Sequence, residues 1–442
     1  MEAFSIMEAT LLSLSIALLV GLMLSRLAKL LQLPAVTAYL VAGILVGPYV
    51  LGQLDVKGLG FVEGHIESFS ILSKVALGFI AFSIGNEFRL SQLKKIGKQA
   101  TIIGILQAVV TTLLVDAALI VFHVIRPDVL PLEAAIILGA IASATAPAAT
   151  LMVVKQYKAK GPVTDTLLPV VALDDAVGLV LFAISFGIAR ALGTGSPDLV
   201  SIIVNPLIEI FGSLALGAIM GFLFSFCERF FHSRSKRLSV SVGFVLLTIG
   251  LSLLKFEIGK VHIAFSPLLT CMMLGTIFCN VCDFSEELMD RVDRWTSPLF
   301  ALFFVISGAE LDLSVFTKGM MVLVGVIYIA SRSLGKYTGA WSSSKLAKSD
   351  QNIVKYLGIT LLPQAGVALG MADLVREATE FQTVLVGGMS VADIVLNITL
   401  FAVLIYELVG PLLTKIALQK AGEIDPEGKT SARHEHAKNK AA

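Results

Sequence analysis

Two adjacent carboxylates stand in the middle of an apolar stretch, in Leu168-Pro169-Val170-Val171-Ala172-Leu173-Asp174-Asp175-Ala176-Val177-Gly178. A charge in a membrane interior costs about 2.5–3.5 kcal/mol on insertion scales, so the pair marks a working site rather than a solvated face. Successive helical residues point about 100° apart. One aspartate can therefore face a helix crossing while the other faces a neighbouring helix. A carboxyl so placed can hold a proton or a small hard cation, whose preferred ligands are oxygens. Further along, Ala330-Ser331-Arg332-Ser333-Leu334-Gly335-Lys336-Tyr337 puts Arg332 and Lys336 one turn apart on one helix face. Lys336 is the first choice to face the aspartates, because a desolvated lysine can release its proton. Arg332 stays charged and suits a fixed bridge. A further acid, Asp393 in Ser390-Val391-Ala392-Asp393-Ile394, reads as mid-span. It is expected to support the site from behind, so that Asp393→Asn weakens cation affinity or turnover without ending transport.

Charges buried in this way need elements that aim polar backbone at them. Ser143-Ala144-Thr145-Ala146-Pro147 and Leu362-Pro363-Gln364-Ala365-Gly366 interrupt two otherwise apolar stretches. Paired Pro/Gly interruptions in the two halves of a transporter expose half-helix dipoles and free carbonyls to an ion. A repeat supports the pairing: Gly85-Asn86-Glu87-Phe88-Arg89-Leu90-Ser91 and Gly308-Ala309-Glu310-Leu311-Asp312-Leu313-Ser314 match at Gly, Glu, Leu and Ser. The offset of these copies places Asp393 near the counterpart of the aspartate pair.

The whole chain fits this picture. Of 442 residues 56% are hydrophobic and 15% charged, and the mean hydropathy is +0.86. A soluble chain carries about 25% charge, so a soluble enzyme is excluded, and the long unalternating runs exclude an outer-membrane barrel. A net charge of +1 argues against a nucleic-acid partner. Apolar runs predict an all-α polytopic membrane protein of about thirteen spans: 5–31, 34–52, 66–88, 97–124, 131–156, 161–192, 201–231, 237–256, 261–282, 295–309, 313–345, 351–377 and 382–417. The first run is expected to be a membrane helix, since no basic region of a cleaved signal precedes it. An odd number of spans lies between the repeat copies, so they are inverted. Basic residues check the count. With the N-terminus outside, only Lys57, Arg126, Arg190, Lys255, Lys260, Lys318 and Arg376 among the loop cations fall outside, and the C-terminus is cytoplasmic. Cys279 and Cys282 form a lone CxxC without a nearby histidine and read as packing residues.

The Leu33-Pro34 and Gly43-Ile44-Leu45-Val46-Gly47-Pro48 segments, the Thr145-Ala146-Pro147 break, the Asp174-Asp175 pair and Gly335-Lys336 resemble the sodium/proton antiporters of the cation:proton antiporter superfamily, in its electrogenic, two-aspartate branch. The resemblance covers almost the whole chain. It implies that Asp175 carries cation or proton and that Asp174 pairs with Lys336; from the residues themselves, the first break offers Ser143, Thr145 and backbone carbonyls to the cation, and Pro147, Pro363 and Gln364 interrupt the two helices. Some relatives carry an acidic residue in the earlier break, where this chain has Ser143 and Thr145. It also implies a homodimer, with scaffold helices in 1–96 and 237–312, a core bundle in 97–192 and 313–417, a linker helix in 193–236 and a cytoplasmic tail in 418–442. The broken helices are 131–156 and 351–377, and the aspartate helix is 161–192. The expected function is exchange of Na⁺ and Li⁺ for protons by alternating access, with no cofactor; no GxxxxGK[ST] loop occurs. A K⁺/H⁺ exchanger on the same fold and a sodium-coupled organic-anion symporter are the rival readings. The symporter would need neither paired aspartates nor an intramembrane lysine. An intramembrane aspartyl protease would need a GxGD motif that neither Asp175 nor Asp393 has.

Overall fold

The computed structural model describes residues 6–30, 35–54, 61, 69–86, 88–146, 150, 153–154, 157–193, 205–254, 256–258, 261–263, 265–282, 284–311, 319–383, 385–386 and 388–424. Its helices are α1 (Ile6–Leu30), α2 (Ala35–Val46), α3 (Ser70–Asn86), α4 (Leu90–Ile125), α5 (Leu132–Ile141), α6 (Pro162–Gly193), α7 (Asn205–Glu228), α8 (Arg234–Ser252), α9 (Pro267–Val281), α10 (Ser285–Ala309), α11 (Gly319–Leu346), α12 (Gln351–Thr360), α13 (Gly366–Glu377), α14 (Thr379–Thr383) and α15 (Val391–Lys420). Among the described residues seven of these are long and apolar enough to cross a bilayer, and α2, α3, α5 and α9 are shorter apolar helices. The chain is an integral, multi-pass membrane protein.

Lipid tails are as apolar as the helix surfaces, so helices in a membrane associate by close packing, and small residues permit it. The sequence repeat is visible in that packing. A Cβ on Gly85 of α3 would run into the Met272 carbonyl of α9, and one on Gly275 of α9 into the Phe82 carbonyl of α3. In the other half a Cβ on Gly308 of α10 would run into the Leu40 carbonyl of α2, and one on Gly43 of α2 into the Val305 carbonyl. Phe82 and Gly85 map onto Val305 and Gly308 with one offset, and Leu40 and Gly43 onto Met272 and Gly275 with another. The two helix pairs thus share one register. The inverted repeat therefore sets helix–helix geometry, and the matching glycines are where backbones touch.

Around these pairs α1 packs on α2 and α10, while α7 and α8 pack on α9. A second group joins α4, α5, α6, α11, α12, α13 and α15. Its most extensive contact, between α4 and α11, is again made by glycines: a Cβ on Gly335 would lie 3.0 Å from the Thr111 Cα, and one on Gly339 2.9 Å from the Gln107 carbonyl. That approach brings Lys336, the residue after Gly335, against Gln107. Gly97, with φ of 76°, marks a kink in α4.

Departures from the sequence reading concern span ends: the helix read as 295–309 starts already at Ser285, and that read as 261–282 only at Pro267. The stretch read as 237–256 ends its helix at Ser252, and a ribbon follows in which Phe256–Ile258 (β1) pairs antiparallel with Val261–Ile263 (β2). The stretch read as a span from 382 starts its helix only at Val391, after α14 and a second ribbon, Leu385–Val386 (β3) with Met389–Ser390 (β4). Cys279 and Cys282 are buried thiols, and neither is in a disulfide.

Candidate functional site

α5 ends at Ile141 and α12 at Thr360, and each gives way through a turn to non-helical backbone, over Ala142–Ala146 and Leu361–Ala365. Helix ends leave carbonyls and amides without intrahelical partners, and no water competes for them in a membrane. Here the two breaks partner each other. The Ala146 amide donates to the Pro363 carbonyl at 2.9 Å. Gln364 Nε2 donates to the Ile141 carbonyl at 3.0 Å and to the Tyr328 hydroxyl at 3.1 Å. Pro147 lies outside the described residues.

Arg332 completes the crossing. Its Nε donates to the Ala142 carbonyl at 2.9 Å, its Nη2 to the Ala144 carbonyl at 2.7 Å and its Nη1 to the Leu362 carbonyl at 2.7 Å. The guanidinium also lies 4.4 Å over the Tyr406 ring. One fully buried cation thus ties both breaks together through the planar fork that only arginine offers.

One turn on, Lys336 is also fully buried. Its Nζ lies 2.7 Å from Asp174 Oδ2, 2.9 Å from the Thr145 hydroxyl and 3.2 Å from Gln107 Oε1, and it also donates to the Ser143 carbonyl. The Thr145 hydroxyl donates to Asp174 Oδ2 and Gln107 Nε2 to Asp174 Oδ1. The ammonium therefore sits among oxygens from α4, α6 and the first break. Lys336, not Arg332, is the cation that meets Asp174.

Asp175 is 1% exposed. It shares a helix face with Gly178 three residues on, and a Cβ on Gly178 would lie 2.9 Å from the Ser143 hydroxyl. The structure therefore gathers Asp174, Lys336, Ser143 and Thr145 at the first break, turns the Asp175 face toward it, and closes the crossing with Arg332, Pro363 and Gln364.

Asp393 stands elsewhere, and its reading as a mid-span residue is corrected. It lies in the first turn of α15, exposed. There its Oδ2 accepts from the Ser390 hydroxyl at 2.6 Å and the Ser390 amide at 3.3 Å, and its amide donates back to Ser390 Oγ at 3.0 Å. This is a capping box. Conversely, Gln107 was not singled out from the sequence. Its only signal there is an amide inside the apolar run Ile102–Val115, without a motif around it.

An inverted repeat, two facing broken helices and buried charges of both signs at their crossing define a secondary transporter. A family model described as sodium/hydrogen exchanger, transmembrane, matches residues 14–420, and the chain belongs to that family. It is 24% identical to an Ammonium/H(+) antiporter subunit, AmhT, of Alkalihalophilus pseudofirmus, over 70% of this chain and 73% of that one. It is also 24% identical to the Na(+)/H(+) antiporter NhaS4 of Synechocystis sp., over 78% and 82%. The solved structure of the sodium proton antiporter MjNhaP1 from Methanocaldococcus jannaschii at pH 8 shares the fold, with a TM-score of 0.72 at 19% identity over 92% of this chain and 97% of that one.

Proposed function

We propose that this exchanger trades Na⁺, and Li⁺ by the same route, for protons, and that Asp175 is the carrier. The observation that carries the reading is the buried Asp174–Lys336 pair at the crossing of two broken helices, with a second buried aspartate beside it. Exchange follows from competition: if Asp175 crosses only when protonated or cation-bound, each ion displaces the other. Asp174, Thr145 and the Ser143 carbonyl form an oxygen set around the Lys336 ammonium, the ligand type a hard cation prefers. Two unit charges 4 Å apart at an effective dielectric near 20 attract by about 4 kcal/mol, enough for cation binding at Asp174 and Asp175 to compete with the lysine. A lysine released from its partner can lose its proton, which makes the exchange electrogenic.

The moving part is the bundle of 97–192 and 313–417, sliding against a scaffold of 1–96 and 237–312, with 193–236 as linker, 418–442 as cytoplasmic tail and a second copy of the chain held through the scaffold. The distribution of basic residues among the loops supports an outside N-terminus and a cytoplasmic C-terminus, an orientation in which the end of the bundle carrying Arg376 faces out. The relatives' names include ammonium as well as sodium, and the decisive assay compares cations. In proteoliposomes holding a preset pH gradient, Na⁺, Li⁺ and K⁺ are added in turn. Dissipation by Na⁺ and Li⁺ but not K⁺ is expected. A response to K⁺ alone would reassign the cation, and a response to none would sink the exchanger.

A further inference from the structure

Away from the crossing, charged side chains from three helices meet where α13 ends. Arg376 of α13 lies 2.7 Å from Glu310, which caps α10, and 2.9 Å from Asp373 one turn back. Lys74 of α3 lies 3.3 Å from Glu377. The Glu310 and Asp373 side chains are only 4% and 6% exposed, so these pairs are screened far less than surface pairs. They join the helix after the second break to α3 and α10, whose glycine-locked contacts lie in the other packing group.

The opposite end of the bundle differs. There Arg89, which caps α4, pairs at 2.9 Å with Glu286 of α10, a carboxylate 76% exposed, and Arg237 of α8 lies 3.6 Å from Glu228 of α7. Among the described residues, the ion pairs that connect α13 to α3 and α10 are those of Arg376 and Glu377.

Their position matters because of what α13 covers. A cavity of about 360 Å³, lined by Lys74, Phe182, Phe186, Leu374 and Glu377 among others, opens at this end. Between it and the aspartates lie successive turns of α13: a Cβ on Gly370 would run into Leu77 of α3, and Met371 lies 3.7 Å from where a Cβ on Gly178 of α6 would be. Gly178 is one turn from Asp175. For Asp175 to meet the cavity, the contact of α13 with α3 and α10 must part, and the pairs of Arg376 and Glu377 hold it closed.

We infer that Glu310 and Arg376, seconded by Lys74 and Glu377, are positioning residues of the transport cycle: they latch α13 over the aspartates on the outer side, and their separation opens the site outward. The inference rests on the alternating-access reading above, and its test has a readout independent of transport. Met371→Cys is labelled with a membrane-impermeant maleimide added outside right-side-out vesicles, in a background with the four native cysteines replaced. Leu374→Cys, whose parent residue already lines the cavity, serves as the accessible control. Glu310→Gln is expected to raise the labelling rate at position 371 roughly fivefold and to leave that at position 374 unchanged. The exchanged pair Glu310→Arg with Arg376→Glu should bring the rate back down. Glu377→Gln, which breaks the more exposed pair, should raise it less, and it decides the matter if Glu310→Gln fails to reach the membrane. Unchanged labelling in the variants that fold, or no recovery on exchanging the charges, overturns the latch. Sodium-driven proton flux of the unmutated chain is measured in parallel. Absent flux with a labelling response would sink the ion assignment and leave the latch standing, and flux without a labelling response would do the reverse.

Discussion

The two breaks are counterparts in the repeat, yet they are held by different chemistry. Leu361–Ala365 is bound by groups with fixed charge or none: Arg332 on the Leu362 carbonyl, the Ala146 amide on the Pro363 carbonyl, and Gln364 on Ile141 and Tyr328. Ala142–Ala146 shares Arg332 but also meets groups that can change charge, since Lys336 reaches the Ser143 carbonyl and the Thr145 hydroxyl and Thr145 reaches Asp174. Inversion therefore duplicates the backbone and leaves the titrating chemistry on one side of the crossing. One break is a fastening and the other is a site.

The sharpest way to break that distinction is at Asp175. Asp175→Asn keeps the side-chain shape and removes the exchangeable proton and the charge, so cation-dependent proton flux in liposomes should fall to the level of empty vesicles while the protein remains folded. Surviving flux would take the carrier role from Asp175 and leave the first break with no more function than the second.

Arg332→Gln attacks the fastening shared by both breaks. Three buried carbonyls accept from that guanidinium, and glutamine can serve only part of them. At about 1–3 kcal/mol for a buried group left unpaired, a loss of about 3 kcal/mol is expected, read as a fall of several degrees in the detergent melting temperature. An unaltered melting temperature with altered transport would move Arg332 from the fastening into the site.

Lys336→Gln separates structure from charge movement within the site. The neutral amide can still donate to the Ser143 carbonyl, so the cost should be smaller, about 1–2 kcal/mol. Asp174 then loses its ion-pair partner, and exchange loses the charge that Lys336 contributes. Sodium-driven proton flux at several clamped potassium-diffusion potentials should become less voltage-sensitive. Unchanged voltage dependence would make Lys336 a second structural cation, and the two breaks would then differ less than their contacts suggest.

How much of this can be read from the sequence follows from the physics of each signal. Charges in apolar helices are conspicuous because they are expensive, so Asp174, Asp175, Arg332 and Lys336 stand out, and Pro/Gly interruptions reveal both breaks. The division of labour between the cations was visible in part, since arginine's fixed charge suits carbonyls and lysine's does not require them. Gln107 stayed hidden because an amide costs less to bury than a charge, and only the approach of α4 to α11 at Gly335 and Gly339 shows what it faces. The register of the scaffold pairs was half visible: Gly85 and Gly308 appear as a repeat, whereas their partners Gly275 and Gly43 carry no flanking match.

Asp393 was misplaced for a different reason, and it supplies the smallest effect. Hydropathy treats 382–417 as one span, since Val384-Leu385-Val386 and Val391-Ala392 flank only a few polar residues. The local pattern Ser390-Val391-Ala392-Asp393 is a helix start of the capping-box type, in which a carboxylate at the third position can replace glutamate. That signal is local and overrides the average, so the acid belongs to a helix end and not to the membrane centre. Removing a cap costs about 0.5–2 kcal/mol, but the asparagine oxygen can still accept from the Ser390 amide, as Asp393 Oδ2 does at 3.3 Å. Asp393→Asn should therefore cost only a few tenths of a kcal/mol, in line with a near-isosteric change at an exposed helix start, and leave the sodium concentration for half-maximal exchange within about twofold of the parent value. A shift of about tenfold, equal to 1.4 kcal/mol, with an unchanged melting temperature would return Asp393 to the ion pathway and give the second half of the repeat a chemical role that its break, as built, does not have.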